Sequence, residues 1–219
     1  MIVIADAHEN PGGLSQELKK VICLARAADD TLVCAGDSFN LIPYGLMAYR
    51  NSRTFNELLY LLDDHQIILL EGNHDPIHWL DRLFKDHPNV IILPDLLIDD
   101  IYIAHGHRWG PLWSWLPFFA EPLNRYANRY FPETWYRFAK WAGWMPSAVK
   151  GEDRYHAVVL SLLIGALRYN EQHNYKVAMG HSHKEYSLRE NDNIIVASIP
   201  PLVTRTILSG TDTLEFLSI

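Results

Sequence analysis

The sequence predicts an α/β fold in which a largely parallel sheet runs on into antiparallel strands. Three observations carry that prediction. Short runs rich in Ile, Val and Leu recur along the chain, bounded by polar or turn residues. Amphipathic stretches with helical spacing lie between the early runs. After residue 185 the helical patterns stop and strand-like runs follow one another. Alternation of strand and helix is the mark of α/β layers.

The elements follow in order. Residues 2–5, IVIA, form the first strand-like run. Residues 14–28, LSQELKKVICLARAA, place Leu14, Leu18, Val21, Ile22 and Ala25 on one helical stripe. Residues 31–34 form the next run. Residues 52–65, SRTFNELLYLLDDH, repeat the helical pattern through Phe55, Leu58, Leu59 and Leu62. Further runs lie at 67–70, 90–93, 101–104, 176–179, 194–197, 203–208 and 214–217. Apolar runs of this length read as strands buried on both faces.

Residues 109–175 interrupt the scheme. They hold six of the seven tryptophans and no strand pattern. Phe119, Leu123, Tyr126 and Tyr130 share one helical face. A longer helix is predicted from about Glu152 to His173, with Val158, Val159, Leu162, Leu163 and Ala166 inward. This stretch reads as a helical cap inserted between two core strands, within a single domain spanning residues 1–219. It has two readings of its own: a subdomain with an aromatic core, or an amphipathic cap that offers apolar surface and positive charge to a lipid-like phosphate or a membrane surface.

Bulk properties narrow the function classes. The chain has 219 residues, 48% hydrophobic and 21% charged, ordinary for a globular protein with a substantial core. Net charge is −7, which argues against nucleic acid as a partner. The charge is uneven: residues 108–176 carry nine Lys/Arg and five Asp/Glu, a balance of +4, against −11 for the rest. Cys23 and Cys34 are expected as small buried side chains, not as a disulfide or metal pair. Strand pattern begins at residue 2, so no leader is expected. The apolar run near 158–167 is too short and interrupted to span a bilayer. A cytoplasmic protein, or one peripheral to a membrane, is the reading.

The polar residues that end the strand-like runs carry the chemistry. The first run ends in Asp6 and His8, the second in Gly36 and Asp37, and the third in Gly72, Asn73, His74 and Asp75. The run at 101–104 ends in His105 and His107, and the run at 176–179 in His181 and His183. In a parallel sheet the carboxyl ends of strands share one edge, where ligands bind. Each cluster alone is a weak signal and reads more readily as a polar turn. Their order, and their repeated placement just past an apolar run, favour one site. Three carboxylate or amide side chains and as many as four imidazoles suit divalent metals and exceed the needs of one ion. One carboxylate bridging two ions accounts for the surplus, and ions ~3.5–4 Å apart suit in-line displacement at phosphorus.

These residues resemble the calcineurin-like metallophosphoesterases, whose signature runs D-x-H, G-D, G-N-H-[DE], H and G-H-x-H. Asp6-Ala7-His8, Gly36-Asp37, Gly72-Asn73-His74-Asp75, His105 and Gly180-His181-Ser182-His183 fill every position in order. The resemblance covers about residues 1–107 and 176–219. It implies a four-layer αββα sandwich with a dinuclear site at the strand ends, and two divalent ions, manganese first among them, with iron, zinc, nickel or cobalt as alternatives. It assigns Asp6, His8, Asp37 and His183 to one ion. Asp37, Asn73, His105 and His181 go to the other, with Asp37 bridging. It makes His74 the catalytic histidine off the metals, oriented by Asp75. The implied reaction is in-line attack on phosphorus by a metal-bridging hydroxide, without a covalent enzyme intermediate.

The substrate is less specified. A helical cap at this position resembles the UDP-2,3-diacylglucosamine pyrophosphohydrolases, where the cap receives acyl chains. Asn40 stands where that group carries an acidic residue, and His107 where it shows an aspartate. His107 is read as a substrate contact or as a structural turn residue. Arg108, Lys184 and Asn40 are candidate substrate contacts, the two cations reading equally as solvated charges. Glu71 has no assigned role and reads as a solvated neighbour. A lipid-linked phosphate ester or diphosphate is the substrate reading, with a broad phosphodiesterase or phosphomonoesterase as the alternative. A non-catalytic scaffold is the reading of a different class. Scaffolds of this fold lose metal ligands or the catalytic histidine, and here none is missing.

Overall fold

The computed structural model describes residues 1–63, 65–109, 126–127, 130–141, 152–183, 185–191, 193–200, 207–208 and 216–217. In chain order the elements are β1 (Ile2–Ile4), α1 (Gln16–Ala28), β2 (Leu32–Cys34), the single-turn helices α2 (Leu41–Tyr44) and α3 (Leu46–Tyr49), α4 (Arg53–Leu62), β3 (Ile67–Leu70) and α5 (Ile77–Phe84). Then come β4 (Val90–Leu93), β5 (Leu96–Ile98), β6 (Ile101–Ala104), a 3-10 turn at His107–Trp109, α6 (Pro132–Trp141) and α7 (Glu152–His173). The chain ends with β7 (Lys176–Met179), β8 (Tyr186–Glu190), β9 (Asn193–Ser198), β10 (Ile207–Leu208) and β11 (Phe216–Leu217).

The strands form two sheets, of order β11-β10-β1-β2-β3-β4 and β5-β6-β7-β9-β8. β1 to β4 are parallel, with Ile2 opposite Leu32, Leu32 opposite Ile67 and Ile67 opposite Val90. β10 and β11 pair antiparallel beyond β1. In the second sheet β6, β7 and β9 are parallel, and β5 and β8 are antiparallel edges.

Strand alternation explains the layers. Ile2, Ile4, Leu32, Cys34, Ile67 and Leu69 point to one face, against Leu18, Val21 and Ile22 of α1, Leu58 of α4 and Leu80 of α5. Val3, Ala5, Val33, Ala35, Ile68 and Leu70 point to the other face and meet Ile101, Ile103, Ala178 and Ala197 of the second sheet. The outer face of that sheet, Tyr102, Ala104, Val177, Met179 and Val196, packs on Leu162 and Ala166 of α7 and on Trp109. The result is helix, sheet, sheet, helix. Strands buried on both faces are apolar throughout, as the residues themselves indicate. Those residues do not say that the strands divide between two sheets.

Local signals set the helix ends. Ser15 accepts from Leu18 N and caps α1, and Asp29, left-handed at φ 55°, closes it. Ser52 accepts from Phe55 N and caps α4. Cys34 is buried as expected. Cys23 is exposed, because it follows the inward pair Val21–Ile22 around the helix, and both thiols are free.

α7 covers the second sheet along Leu162 and Ala166, and Val158 and Val159 of the same helix are also buried. Gly165 lets it approach closely: a Cβ there would stand 2.7 Å from Trp109 Cβ. Tyr126 and Tyr130 are exposed, while Phe119 and Leu123 lie outside the described residues. No described helix is long and apolar enough to cross a membrane.

Candidate metal centre

The carboxyl ends of β1, β2 and β3 in one sheet, and of β6 and β7 in the other, bring their polar residues together. Past β1 and β2 the two loops run on side by side: Asp6 N donates to Gly36 O, His8 N to Asp37 O and Glu9 N to Ser38 O. The backbone is sharply turned here. Asp6, His8, Asp37, His181 and His183 all have φ between 49° and 68°. Left-handed backbone costs an L-residue roughly 1–2 kcal/mol, so such a cluster is held by its surroundings and by function. At Gly36, φ is +80° and a Cβ would lie 2.5 Å from the His105 ring, so glycine is required for His105 to fit.

Asp6 ties the sheets together, its Oδ2 accepting from His181 N at 2.8 Å. Asp37 sits at the centre. Its Oδ1 accepts from His74 N at 2.8 Å. Its Oδ2 lies 3.3 Å from His105 Nε2, 3.9 Å from His8 Nε2 and 4.0 Å from His74 Nε2. His105 Nε2 is also 3.0 Å from Asn73 Oδ1 and 3.1 Å from His181 Nδ1. The His8 and His183 rings stack at 5.3 Å, and the His8 and His74 rings meet edge-on at 4.7 Å. Among the described residues, three groups have ligand atoms within 4.8 Å of one another: Asp6, His8 and His183; His8, Asp37 and His74; Asp37, His105 and His181.

Residues 1–207 match the calcineurin-like phosphoesterase family. The chain belongs to that family. It is therefore a phosphoesterase, a hydrolase, and the family implies divalent metal ions. No curated protein matches the chain.

The residues of this phosphoesterase fit such ions. His105 Nδ1 faces the carbonyl of Ala35 at 3.1 Å, so it donates and leaves the lone pair on Nε2. That lone pair meets three other electron-rich atoms, from Asn73, His181 and Asp37, at 3.0–3.3 Å. Ligands ~2.1 Å from one ion stand at about such separations from each other. Asp6 Oδ1 and His8 Nε2 are buried with no hydrogen-bond partner among the described residues, as ligand atoms held for a cation would be.

The protein's own charges show the same demand. Burial alone would raise the Asp37 carboxyl, but His105, His74 and His8 around it hold it well below the usual carboxylate range. Burial depresses His105, and Asp37 overturns that and lifts it to about 9. Burial, and then His105 beside it, pushes His181 well down. Burial carries His74 down to about 4 against the pull of Asp37. The pocket takes one positive charge beside Asp37 and resists a second imidazolium.

Two of the residues singled out in the sequence, Asp75 and Glu71, look different in place. Both Asp75 oxygens accept from the backbone of the loop past β2. Oδ1 accepts from Asp37 N at 2.9 Å and Oδ2 from Phe39 N at 3.1 Å, so Asp75 holds the loop that carries Asp37. Burial and the charge of Asp37 push its carboxyl up against these two donors. Orientation of His74 falls to Asn40, whose Oδ1 is 2.8 Å from His74 Nδ1. Glu71 is buried, not solvated, and its N–H donates to Leu93 O. The His107 ring lies 5.3 Å from that of His105 and 6.4 Å from that of His181. The Arg108 side chain and Lys184 lie outside the described residues.

Sequence reasoning missed the contributions of Tyr49 and Ser182. Buried Tyr49 donates its hydroxyl to Glu9 O and accepts from Asn40 N, bracing the loops behind His8. Ser182 shares a buried hydrogen bond with Ser198 of β9, which anchors the turn between His181 and His183. Serine and tyrosine are too common for their types alone to have marked these positions.

Proposed function

We propose that this phosphoesterase works with two divalent ions, manganese foremost, and with Asp37 between them. The position of Asp37 Oδ2 carries the reading, since it has His105 Nε2 on one side and His8 Nε2 on the other. Asp6, His8, Asp37 and His183 would hold one ion, and Asp37, Asn73, His105 and His181 the other. Bound there, the ions supply Lewis acidity toward phosphoryl oxygens and acidify water. His74 would belong to neither ligand set. Its Nε2 faces the same space, where it would take up a proton and hand it to a departing alkoxide. Asn73 contributes an uncharged oxygen, which limits the negative charge that a phosphate must approach.

The proposed substrate is a phosphate ester or diphosphate bearing an apolar group, of the nucleotide-linked diacyl sugar kind. The support lies in the segment between His105 and His181. Tyr130, Phe131, Phe138 and Trp141 are exposed there. A crevice of about 450 Å³ is lined by Trp79 and Arg82 of α5 and by Tyr130 and Phe131. α5 begins two residues after Asp75, beside the centre. The excess of Lys and Arg in residues 108–176 supports peripheral contact with an anionic membrane through the same segment.

The test is hydrolysis with manganese over an aryl monoester, an aryl diester, a nucleoside diphosphate and an acylated sugar nucleotide. Asp37→Ala loses metal and activity together. His74→Ala keeps its metal and loses roughly 10²–10⁴-fold in kcat. Comparable turnover of all small esters favours broad specificity over the apolar substrate. Wild-type protein that binds no metal and hydrolyses no phosphate ester overturns the reading.

A further inference from the structure

We propose that the outer helical layer carries a second anion site, apart from the metal centre, where Arg50, Arg82 and Lys85 hold the phosphate of a small phosphate monoester. A crevice of about 440 Å³ opens between the turn from α3 to α4 and the end of α5. Arg50 lines it from the first turn, and Arg82 and Lys85 from the end of α5. Phe55, Leu83 and His87 also line it. Both turns are held by backbone bonds: Ser52 N donates to Tyr49 O, and His87 N donates to Phe84 O. The His87 ring meets Phe55 edge-on at 5.4 Å and so ties the two turns together.

The crevice is separate from the metal centre. None of its lining residues belongs to the clusters at the strand ends. Phe39, two residues past Asp37, packs on Phe84 at 5.8 Å, and Phe84 packs on Phe55 at 5.3 Å. These three rings are buried and stand between the loop of Asp37 and the crevice.

Charge is what marks the place. The chain carries −7 overall, yet three cations converge here. Elsewhere in the helical layer cations meet acids: Lys19 and Arg53 share Glu57, and Arg26 faces Asp63. Arg50 and Arg82 have no such carboxylate among the described residues. Asp86 is the one acid in the lining, 3.7 Å from Lys85, and both of those side chains are largely in solvent. An ion pair so exposed is worth little, and an incoming anion competes with it readily.

The same features name the ligand. Two guanidinium forks suit the paired oxygens of a phosphate, and the ammonium of Lys85 adds a third positive charge for a dianion. A bare phosphate is too small for the space, which falls in the range of small-molecule sites. Buried Phe55 and Leu83 offer apolar contact to an organic part. A phosphoesterase releases phosphate anions, so the occupant is either a product of the chain itself or a phosphate monoester from another reaction.

Calorimetric titration of the full metal-free chain with adenosine 5′-monophosphate, inorganic phosphate and malonate is the test. Without metal the result is independent of the two-ion reading. The monophosphate is expected to bind at one site per chain, phosphate more weakly at the same site, and malonate not to compete. Arg50→Ala and Lys85→Ala should each weaken the monophosphate by about 10-fold or more. Lys20→Ala, a cation outside the crevice, should leave it unchanged. Manganese binding and turnover of a small aryl ester should be unaltered in Arg50→Ala and Lys85→Ala. Wild type that binds no monophosphate overturns the proposal. So does binding that both variants leave intact, which would place the anion at the metal centre. Malonate bound as tightly as the monophosphate overturns the assignment to phosphate, and inorganic phosphate bound as tightly overturns the organic part.

Discussion

Asp37 Oδ2 stands 3.3 Å from His105 Nε2, with both side chains buried. The pair is stable only with a positive charge near it, either a proton on His105 or a metal ion. His105 is lifted to about 9, so near neutral pH the metal-free protein keeps the proton there. A folded pKa above the unfolded ~6.5 means that this stabilisation is full below 6.5 and is lost as pH rises through about 9. Metal must displace that proton. We predict that manganese affinity rises with pH up to about 9, with release of roughly one proton per chain at pH 7.5. His74 and His181 are pushed down and are neutral in this window, so they add little. Calorimetric titration in two buffers of different ionisation enthalpy measures the release. Release near zero would mean that His105 is already neutral.

Asp75 gives a second prediction. Its two oxygens accept separately from Asp37 N and Phe39 N. Asparagine in its place offers one oxygen and one N–H group, so one backbone donor would face another donor. Asp75→Asn is expected to cost about 1–3 kcal/mol of stability. Manganese affinity should fall too, because the loop carrying Asp37 loosens. Denaturant unfolding of metal-free protein and a manganese titration check the two parts. An Asp75→Asn variant as stable as wild type would show that the carboxyl is protonated and was already donating.

What the residues disclose without a structure follows from how local each feature is. β1, β2, β3, β6 and β7 are apolar on both faces, so each is visible as a short run. The ligand types at their ends stand out because carboxylates and imidazoles are rare just past such runs. β8 hides, since Ser187, Arg189 and Glu190 face solvent on an edge. β5 has three residues between acidic neighbours and is too brief to register. α5 spans only eight residues after Pro76. The two-sheet division came only with the family resemblance, because it depends on which apolar face meets which. The bonds from Asn40 to His8 and His74 span 32 and 34 residues, and no local pattern announces them.

Gly36 and Gly12 form a matched pair. At Gly36 the backbone is left-handed, and a Cβ would be driven into the His105 ring at 2.5 Å. A Cβ at Gly12 meets nothing within 4 Å. Gly36→Ala should lose about 1–2 kcal/mol from backbone strain alone. It should lose manganese affinity as well, since His105 has to move. Gly12→Ala should be neutral or slightly stabilising. Thermal melts with and without manganese separate the effects: Gly36→Ala loses much of the metal-dependent rise in Tm, and Gly12→Ala keeps it.

The last prediction concerns the helix that backs the second sheet. Trp109 closes the turn that follows His105, is buried, and packs on Tyr102 and Tyr169. Gly165 of α7 faces it so closely that an added Cβ would lie 2.7 Å from Trp109 Cβ and 3.0 Å from its Cγ. Glycine inside a helix normally costs roughly 0.5–1 kcal/mol against alanine, so alanine on an open helix face would stabilise. Here the contact reverses the sign, and Gly165→Ala is expected to destabilise by about 1–3 kcal/mol through overpacking. The displaced turn carries His107 and adjoins His105, so the strain should reach the centre as weaker manganese binding. Unfolding free energy and manganese affinity are the readouts. A Gly165→Ala protein more stable than wild type would show that α7 does not press on this turn.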